Sequence, residues 1–439
     1  MKVMKFGGTS VGKPERMQQV ATLITNDAER KIVVLSALSG TTNALVEISI
    51  ALAGGHKNDA RLKVIALKEV YQQFCNDLLQ QPTALAAANA VLKEHFEFLE
   101  IILKISFSEA LNKDILAQGE LLSTKIFSIY LHQQQIEHVL IPALEFMTID
   151  NDDEPQIGSI KVKLAQILQR NKSVQLFITQ GYISKNAKGE IDNLKRGGSD
   201  YSASLIAAAI NATVCEIWTD IDGMHNNDPR VVENTIAIEQ LSFDEAAELA
   251  YFGAKILHPA SIWPAQFYNV PVKLLNTMQP TAKGTLITDD AGSVGVKAVA
   301  AKDNITAIKI KSSRMLLAYG FLRKVFEIFE KYKTAIDMVT TSEVAVSITI
   351  DNDTYLQEIL KELDGLGTVE VDANQTIVSI VGNEITKTEA VMKKIFEALP
   401  NIPIRMVSYG GSKHNISLLI ERKNKELALQ LLNKGLFGL

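Results

Sequence analysis

Met1-Lys2-Val3-Met4-Lys5-Phe6-Gly7-Gly8-Thr9-Ser10 begins as a strand and ends as an anion-binding turn. The first four residues form a short, mostly apolar run, which passes directly into a lysine, two glycines and two hydroxyls. Glycine admits close approach to the backbone, and free N–H groups beside one fixed cation are what a polyphosphate needs. The pattern is not a P-loop. Gly7-x-x-x-x-Gly12-Lys13 fits most of it, but Pro14 stands where Ser or Thr would bind Mg²⁺. Pro14 instead opens a helix at its first turn.

Further along, bounded apolar runs alternate with longer helical patterns. Lys31–Leu35, Val139–Ile141, Gln175–Ile178, Glu216–Trp218 and Val272–Leu275 have the branched, continuously apolar character of buried strands. The stretches 60–79, 83–105 and 114–132 carry helical periodicity between them. This alternation predicts an α/β fold with an open, mostly parallel sheet, whose ligands lie beyond the carboxyl ends of the strands. A region of different character follows the turn-rich Thr281–Gly284 and Asp289–Ser293. There Val325–Ile328 matches Ile395–Ala398, Ile336–Val339 matches Ile404–Val407, and Val346–Ile348 matches Ile416–Leu418. Each copy reads strand, helix, strand, strand, helix, the order of a ferredoxin-like unit. The expected division is 1–290 and 294–439, the latter split into copies at about 303–373 and 374–439. The second copy lacks a closing strand, and 294–300 is the stretch expected to supply it.

With 439 residues the chain is long enough for two or three domains. A net charge of −5 provides no global basic field for nucleic acid. Cys75 and Cys215 form neither a disulfide framework nor a zinc spacing, and no apolar run approaches a membrane span. The expectation is a cytoplasmic protein without a nucleic-acid or membrane partner.

Chemistry-bearing residues follow the predicted strands. Arg196-Gly197-Gly198-Ser199-Asp200 precedes an apolar helix, so its free N–H groups and positive dipole end face any anion, while Arg196 suits a carboxylate. Trp218-Thr219-Asp220-Ile221-Asp222-Gly223 with Asp228-Pro229-Arg230 combines carboxylates, a tight turn and a cation. Phe252-Gly253-Ala254-Lys255 offers a lysine that reaches a phosphate, and Ser36-Ala37-Leu38-Ser39-Gly40-Thr41-Thr42 offers hydroxyls before a helix. Each has a bland reading as cap, turn or solvated charge, and Glu120 alone reads as a surface charge.

Together these segments resemble the aspartate kinases of the amino-acid kinase superfamily. The resemblance runs through KFGGTS at Lys5, VLSA at Val34, GELLS at Gly119, ITQG at Ile178, RGGSDYSA at Arg196, WTD at Trp218, DPR at Asp228 and FGAKILHP at Phe252. The tail resembles the paired ACT domains that regulate this family. The resemblance implies an amino-acid kinase domain followed by two ACT domains. It also implies ATP-dependent phosphorylation of the β-carboxylate of L-aspartate, the first step of lysine, threonine and methionine biosynthesis, with Mg²⁺ carried by phosphate oxygens and water rather than by a metal motif. By analogy Lys5, Asp200, Gly7 and Gly8 form the catalytic set. Ser36, Thr42, Glu120, Arg196 and Ser199 would hold aspartate, Glu120 and Asp200 facing its α-ammonium. Thr219, Asp220, His225, Arg230 and Lys255 would line the ATP side.

Met315, Ala318, Gly320, Phe321 and Leu322, with Ile336, Asp337, Thr341, Ser342 and Glu343, resemble the lysine-binding segments of lysine-inhibited members. They imply L-lysine as inhibitor and a homodimer, or a dimer of dimers, through the ACT domains. The chain departs from the family pattern at His225, where a tyrosine is usual, and at Asp222, Lys195 and Ala318. The competing readings are another amino-acid kinase, such as a glutamate 5-kinase, and a non-catalytic ACT sensor. The ACT pair and FGAKILHP oppose the first, and intact Lys5, Arg196, Asp200 and Lys255 oppose the second.

Overall fold

A computed structural model describes residues 1–194, 197–253, 257–290, 292–312 and 319–439. The chain divides into two compact units, Met1–Met224 with Ile256–Asp290, and His225–Lys255 with Ala291–Leu439. Each is taken by itself.

The first unit contains β1 (Lys2–Phe6), β2 (Lys31–Leu35), β3 (Val139–Leu140), β4 (Leu176–Gln180), β5 (Ile183–Lys185), β6 (Ile191–Asn193), β7 (Cys215–Thr219), β9 (Val272–Asn276) and β10 (Thr285–Thr288). The intervening β8 (Gln240–Ser242) belongs to the second unit. Its main sheet runs β3-β4-β2-β1-β7-β9-β10. Every pairing is parallel until β10 returns antiparallel to β9. All residues of β2 and β4 are buried, which is why these strands read as unbroken apolar runs rather than alternating ones. The long helices Lys57–Leu78, Pro82–Ile102 and Glu109–Gln133 bury one apolar face each, with Tyr71, Phe96 and Phe127 at the centre of the core.

The consequence for function is geometric. Strands β4, β2, β1 and β7 are neighbours and run the same way, so their carboxyl ends deliver Gly181, Ser36, Gly7 and Asp220 to the same edge of the sheet. The helix Gly198–Ile210 packs beside β1, β2 and β7.

In the second unit β11 (Gly295–Lys311), β12 (Val339–Thr341), β13 (Ala345–Ile350), β14 (Thr368–Asn383), β15 (Ile404–Ser408) and β16 (Asn415–Glu421) form one antiparallel sheet, ordered β12-β13-β11-β14-β16-β15. Two long strands serve both repeats. Thr306 to Lys311 pairs with Ala345–Ile350 on one side, Ile305 to Lys311 pairs with the first part of β14 on the other, and Gly295 to Lys302 pairs with Ile377 to Asn383. Register shifts between Lys302 and Ala307, with Asn304 and Asn374 at positive φ, separate the halves. Helices Phe321–Lys331 and Leu356–Leu363 cover one half through Val325, Phe329, Ile359 and Leu363. Val391–Ala398 and Lys425–Phe437 cover the other through Ile395, Leu429 and Leu432.

One boundary differs from the division at residue 290. Residues 225–253 group with the C-terminal unit. Val232 is buried in the core around Ile395 and Leu429, and the helix Phe243–Tyr251 is tied there by the Glu245–Lys297 ion pair at 2.9 Å. The apolar pair Val231-Val232 carries no mark in the sequence of which core it enters.

Candidate active site

Lys5 is the fourth of the five residues of β1, towards its carboxyl end, flanked by Val34 of β2 and Ile217 of β7. Its Nζ lies 2.5 Å from Asp200 Oδ1 as an ion pair, with both side chains largely buried. Among the described residues, Asp200 Oδ1 is met by this cation and by no further hydrogen-bond donor. Asp200 occupies the first turn of helix Gly198–Ile210, where the dipole favours its charge. Removing either partner would leave a buried charge uncompensated.

Ser199, beside Asp200, accepts a 2.9 Å hydrogen bond from the Ser36 hydroxyl at the end of β2. Gly181, at the end of β4, makes this approach feasible: a Cβ there would stand 2.4 Å from Ser199 Cβ and Oγ. Gly197 has φ +67, a left-handed turn that glycine adopts without strain, and the helix begins at the next residue.

Glu120 lies inside helix Glu109–Gln133, 4% exposed. Its Oε1 accepts from the Ala37 N–H at 3.3 Å, and its Oε2 has no hydrogen-bond partner among the described residues. Burial pushes its carboxyl up to about 7, only partly opposed by the Ala37 N–H. Ser123, one turn further, donates to Ser36 O at 2.7 Å and ties this helix to the same loop. Lys5, Asp200, Ser199, Ser36 and Glu120 therefore form one connected polar group. The arrangement offers a cation for phosphoryl oxygens, hydroxyls for a carboxylate and a buried carboxyl suited to an ammonium.

The sequence pattern of the amino acid kinase family matches residues 1–276, and that of the ACT domain matches 378–436. The chain is 35% identical to lysine-sensitive aspartokinase 3 of Escherichia coli over 99% of each chain. It belongs to the aspartokinases of the amino acid kinase family. The crystal structure of Escherichia coli aspartokinase III with aspartate and ADP matches with a TM-score of 0.84, covering all of both chains at 35% identity. The form with lysine and aspartate matches at 0.82, covering 100% of this chain and 99% of that one.

Not every residue that the aspartokinase resemblance singled out joins this group. Thr42 is exposed at the start of helix Thr41–Ala53; its buried neighbour Thr41 instead bonds the Tyr71 hydroxyl at 3.0 Å. Thr219 donates to Asp220 at 3.1 Å beyond β7. His225 and Arg230 fall in the second unit, where His225 Nδ1 meets Thr235 Oγ1 at 2.9 Å and Arg230 grips Asp228 at 2.9 and 2.8 Å. Arg196 and Lys255 lie outside the described residues, as do Met315 and Ala318.

On the effector side, Gly320 at φ +81 opens helix Phe321–Lys331, whose Phe321 is buried and Leu322 exposed. Asp337 is buried and engaged: Lys302 Nζ lies 2.8 Å away and the Tyr251 hydroxyl donates at 2.6 Å. Ile336 and Asp337 line a cavity of about 360 Å³ with Glu248, Tyr251 and Ser412. Thr341 ends β12, and Ser342 and Glu343 form the exposed turn into β13, closed by the Ser342 N–H on Ala345 O at 2.8 Å.

Sequence reading missed Tyr182. It directly follows Gly181, has φ +66, and takes a 2.8 Å hydrogen bond from its N–H to Ser202 Oγ. Burial and the nearby Glu120 raise its phenol above the usual value. A tyrosine held in the left-handed region stores strain of the sort that clusters at active sites. Only its place after a strand hinted at it.

Proposed function

We propose that the protein is an aspartate kinase that transfers the γ-phosphoryl group of ATP to the β-carboxylate of L-aspartate, giving 4-phospho-L-aspartate and ADP. The observation that carries this is the Lys5–Asp200 pair joined to Ser199, Ser36 and buried Glu120 at the carboxyl ends of adjacent parallel strands. A β-carboxylate oxygen forms the new bond to phosphorus while the bond to the bridging oxygen of ADP breaks. The nucleophile is ionised at neutral pH, so no general base is needed. Catalysis is then positioning plus stabilisation of charge on the phosphoryl oxygens.

In this reading Lys5, with the Gly7 and Gly8 backbone, meets the transferring group. Asp200 fixes the Lys5 ammonium, Ser36, Thr42, Ser199 and Arg196 place the aspartate carboxylates, and Glu120 takes the α-ammonium. Thr219, Asp220, His225, Arg230 and Lys255 serve the nucleotide. Mg²⁺ arrives as part of the MgATP substrate, held by phosphate oxygens and water. We assign 1–290 to catalysis and 294–439 to regulation; the segment 225–253, which carries His225 and Arg230, groups with the latter in packing. L-lysine inhibits through Gly320 to Leu322 and Ile336 to Glu343, in a cytoplasmic homodimer or dimer of dimers. Among the described residues no helix is long and apolar enough to cross a membrane.

The test is capture of the acyl phosphate as its hydroxamate from ATP with aspartate or glutamate, with lysine and threonine titrated in. Hydroxamate from aspartate, suppressed by lysine, is expected. Product from glutamate alone would overturn the substrate, and indifference to lysine would overturn the effector.

A further inference from the structure

The loop from His225 to Ala237 is closed at its neck by an antiparallel bridge between those two residues. Outside itself it is held by the Val299 N–H, which donates to Asn226 O at 2.8 Å, by Val232 in the core around Ile395, and by helix Lys425–Phe437. Asn433, in the middle of helix Lys425–Phe437, is 1% exposed. Its Oδ1 accepts from Asn226 Nδ2 at 3.0 Å and from Asn227 Nδ2 at 3.4 Å, and its Nδ2 donates to Asn234 O at 2.9 Å. One amide thus binds both limbs of the loop.

The chain of contacts continues outward. Asn227 also donates to Leu429 O at 3.0 Å, and its Oδ1 receives the Asp228 N–H at 2.9 Å. The Asp228 carboxylate then holds the Arg230 guanidinium through two hydrogen bonds, leaving Arg230 75% exposed. On the other limb, Asn226 Oδ1 accepts from the Ile236 N–H at 2.7 Å, next to Thr235, which meets His225. Asn226 and Asn227 are nearly as buried as Asn433. Buried amides satisfied on both sides specify one geometry, because each alternative leaves a polar group unpaired.

We infer that Asn433 is a positioning residue for nucleotide binding: the C-terminal helix of the regulatory half holds the loop that presents Arg230 and His225. This rests on the nucleotide-side reading of those two residues. It makes the last helix of the chain part of the support of the kinase reaction, so disturbance of that helix is transmitted to ATP affinity.

The experiment uses the full chain carrying Asn433→Asp, which keeps the shape but replaces the Nδ2 that donates to Asn234 O by an acceptor oxygen, with Asn226→Ala as a second variant and Arg230→Ala as a control. KM for ATP, KM for aspartate and kcat are measured beside the rate of tryptic cleavage after Arg230. The expected result for Asn433→Asp and Asn226→Ala is a KM for ATP raised roughly 5- to 20-fold, with KM for aspartate and kcat within about twofold, and faster cleavage after Arg230. Unchanged cleavage in both variants overturns the anchoring itself. Faster cleavage in variants whose KM for ATP is unmoved, with Arg230→Ala equally silent, overturns the nucleotide-side reading instead. An equal rise in both KM values, or a fall in kcat alone, marks a merely structural role and also overturns the inference.

Discussion

Replacing Lys5 by methionine keeps the stem of the side chain and removes the ammonium that sits against Asp200. Turnover is expected to fall by roughly 10²–10³-fold, the scale of losing one preorganised electrostatic donor; hydroxamate formation at saturating substrates measures it, and near-normal turnover would remove Lys5 from the mechanism. Glu120 makes a different demand. Burial raises its carboxyl from 4.5 to about 7, so the folded protein keeps a proton that the unfolded chain has already lost. Stability from this group is therefore greatest below pH 4.5 and declines as pH rises towards 7. Aspartate binding has the opposite sign, because the α-ammonium wants the carboxylate. At saturating ATP, KM for aspartate is expected to fall by roughly tenfold per unit as pH rises towards 7 and then level off. Glu120→Gln should flatten that profile at a uniformly high KM. A profile of unchanged shape in the variant would assign the titration to another group. In the sequence Glu120 read as a surface charge, since one glutamate in an amphipathic helix says nothing about which face it occupies. The aspartokinase resemblance singled it out, and packing against Ala37 shows its burial.

At the scale of elements, the site depends on how closely a helix start approaches the ends of two strands. Ser199 reaches Ser36 because Gly181 leaves the space empty. Gly181→Ala places a Cβ 2.4 Å from Ser199 Oγ and 2.9 Å from its Cα, so the backbone of the helix start must shift. Overpacking of this sort costs about 1–3 kcal/mol. The expected outcome is a lower Tm together with a higher KM for aspartate, read by calorimetry and steady-state kinetics. A variant with unaltered kinetics would separate the Ser36–Ser199 contact from substrate binding. The parallel strands were legible from their continuous apolar runs, and the helix after Arg196 from its glycine pair. The placement of Gly181 against Ser199 was not, because residues 18 positions apart meet only when β4 and the helix pack.

In the molecule as a whole, regulation is assigned to the C-terminal half, and its charges decide what effector it takes. Glu343, exposed in the turn after Ser342, is the cleaner probe than Asp337, which Lys302 and Tyr251 already engage. On the proposed effector reading, Glu343→Gln would remove one charge-assisted hydrogen bond to the lysine ammonium. The lysine concentration for half-inhibition is expected to rise roughly 10- to 100-fold. Inhibition titrated at fixed ATP and aspartate measures it, and an unmoved midpoint would exclude Glu343 from the effector site. The order of motifs along 439 residues was enough to place the chain among the aspartokinases, and the repeat near 70 residues was enough to announce two similar units in the tail, since both depend on local pattern and spacing. Which core receives Val232, and which helix holds Asn226 and Asn227, emerged only from folding. Burial and buried amide pairing join residues some 200 positions apart, and no local periodicity records such a partner.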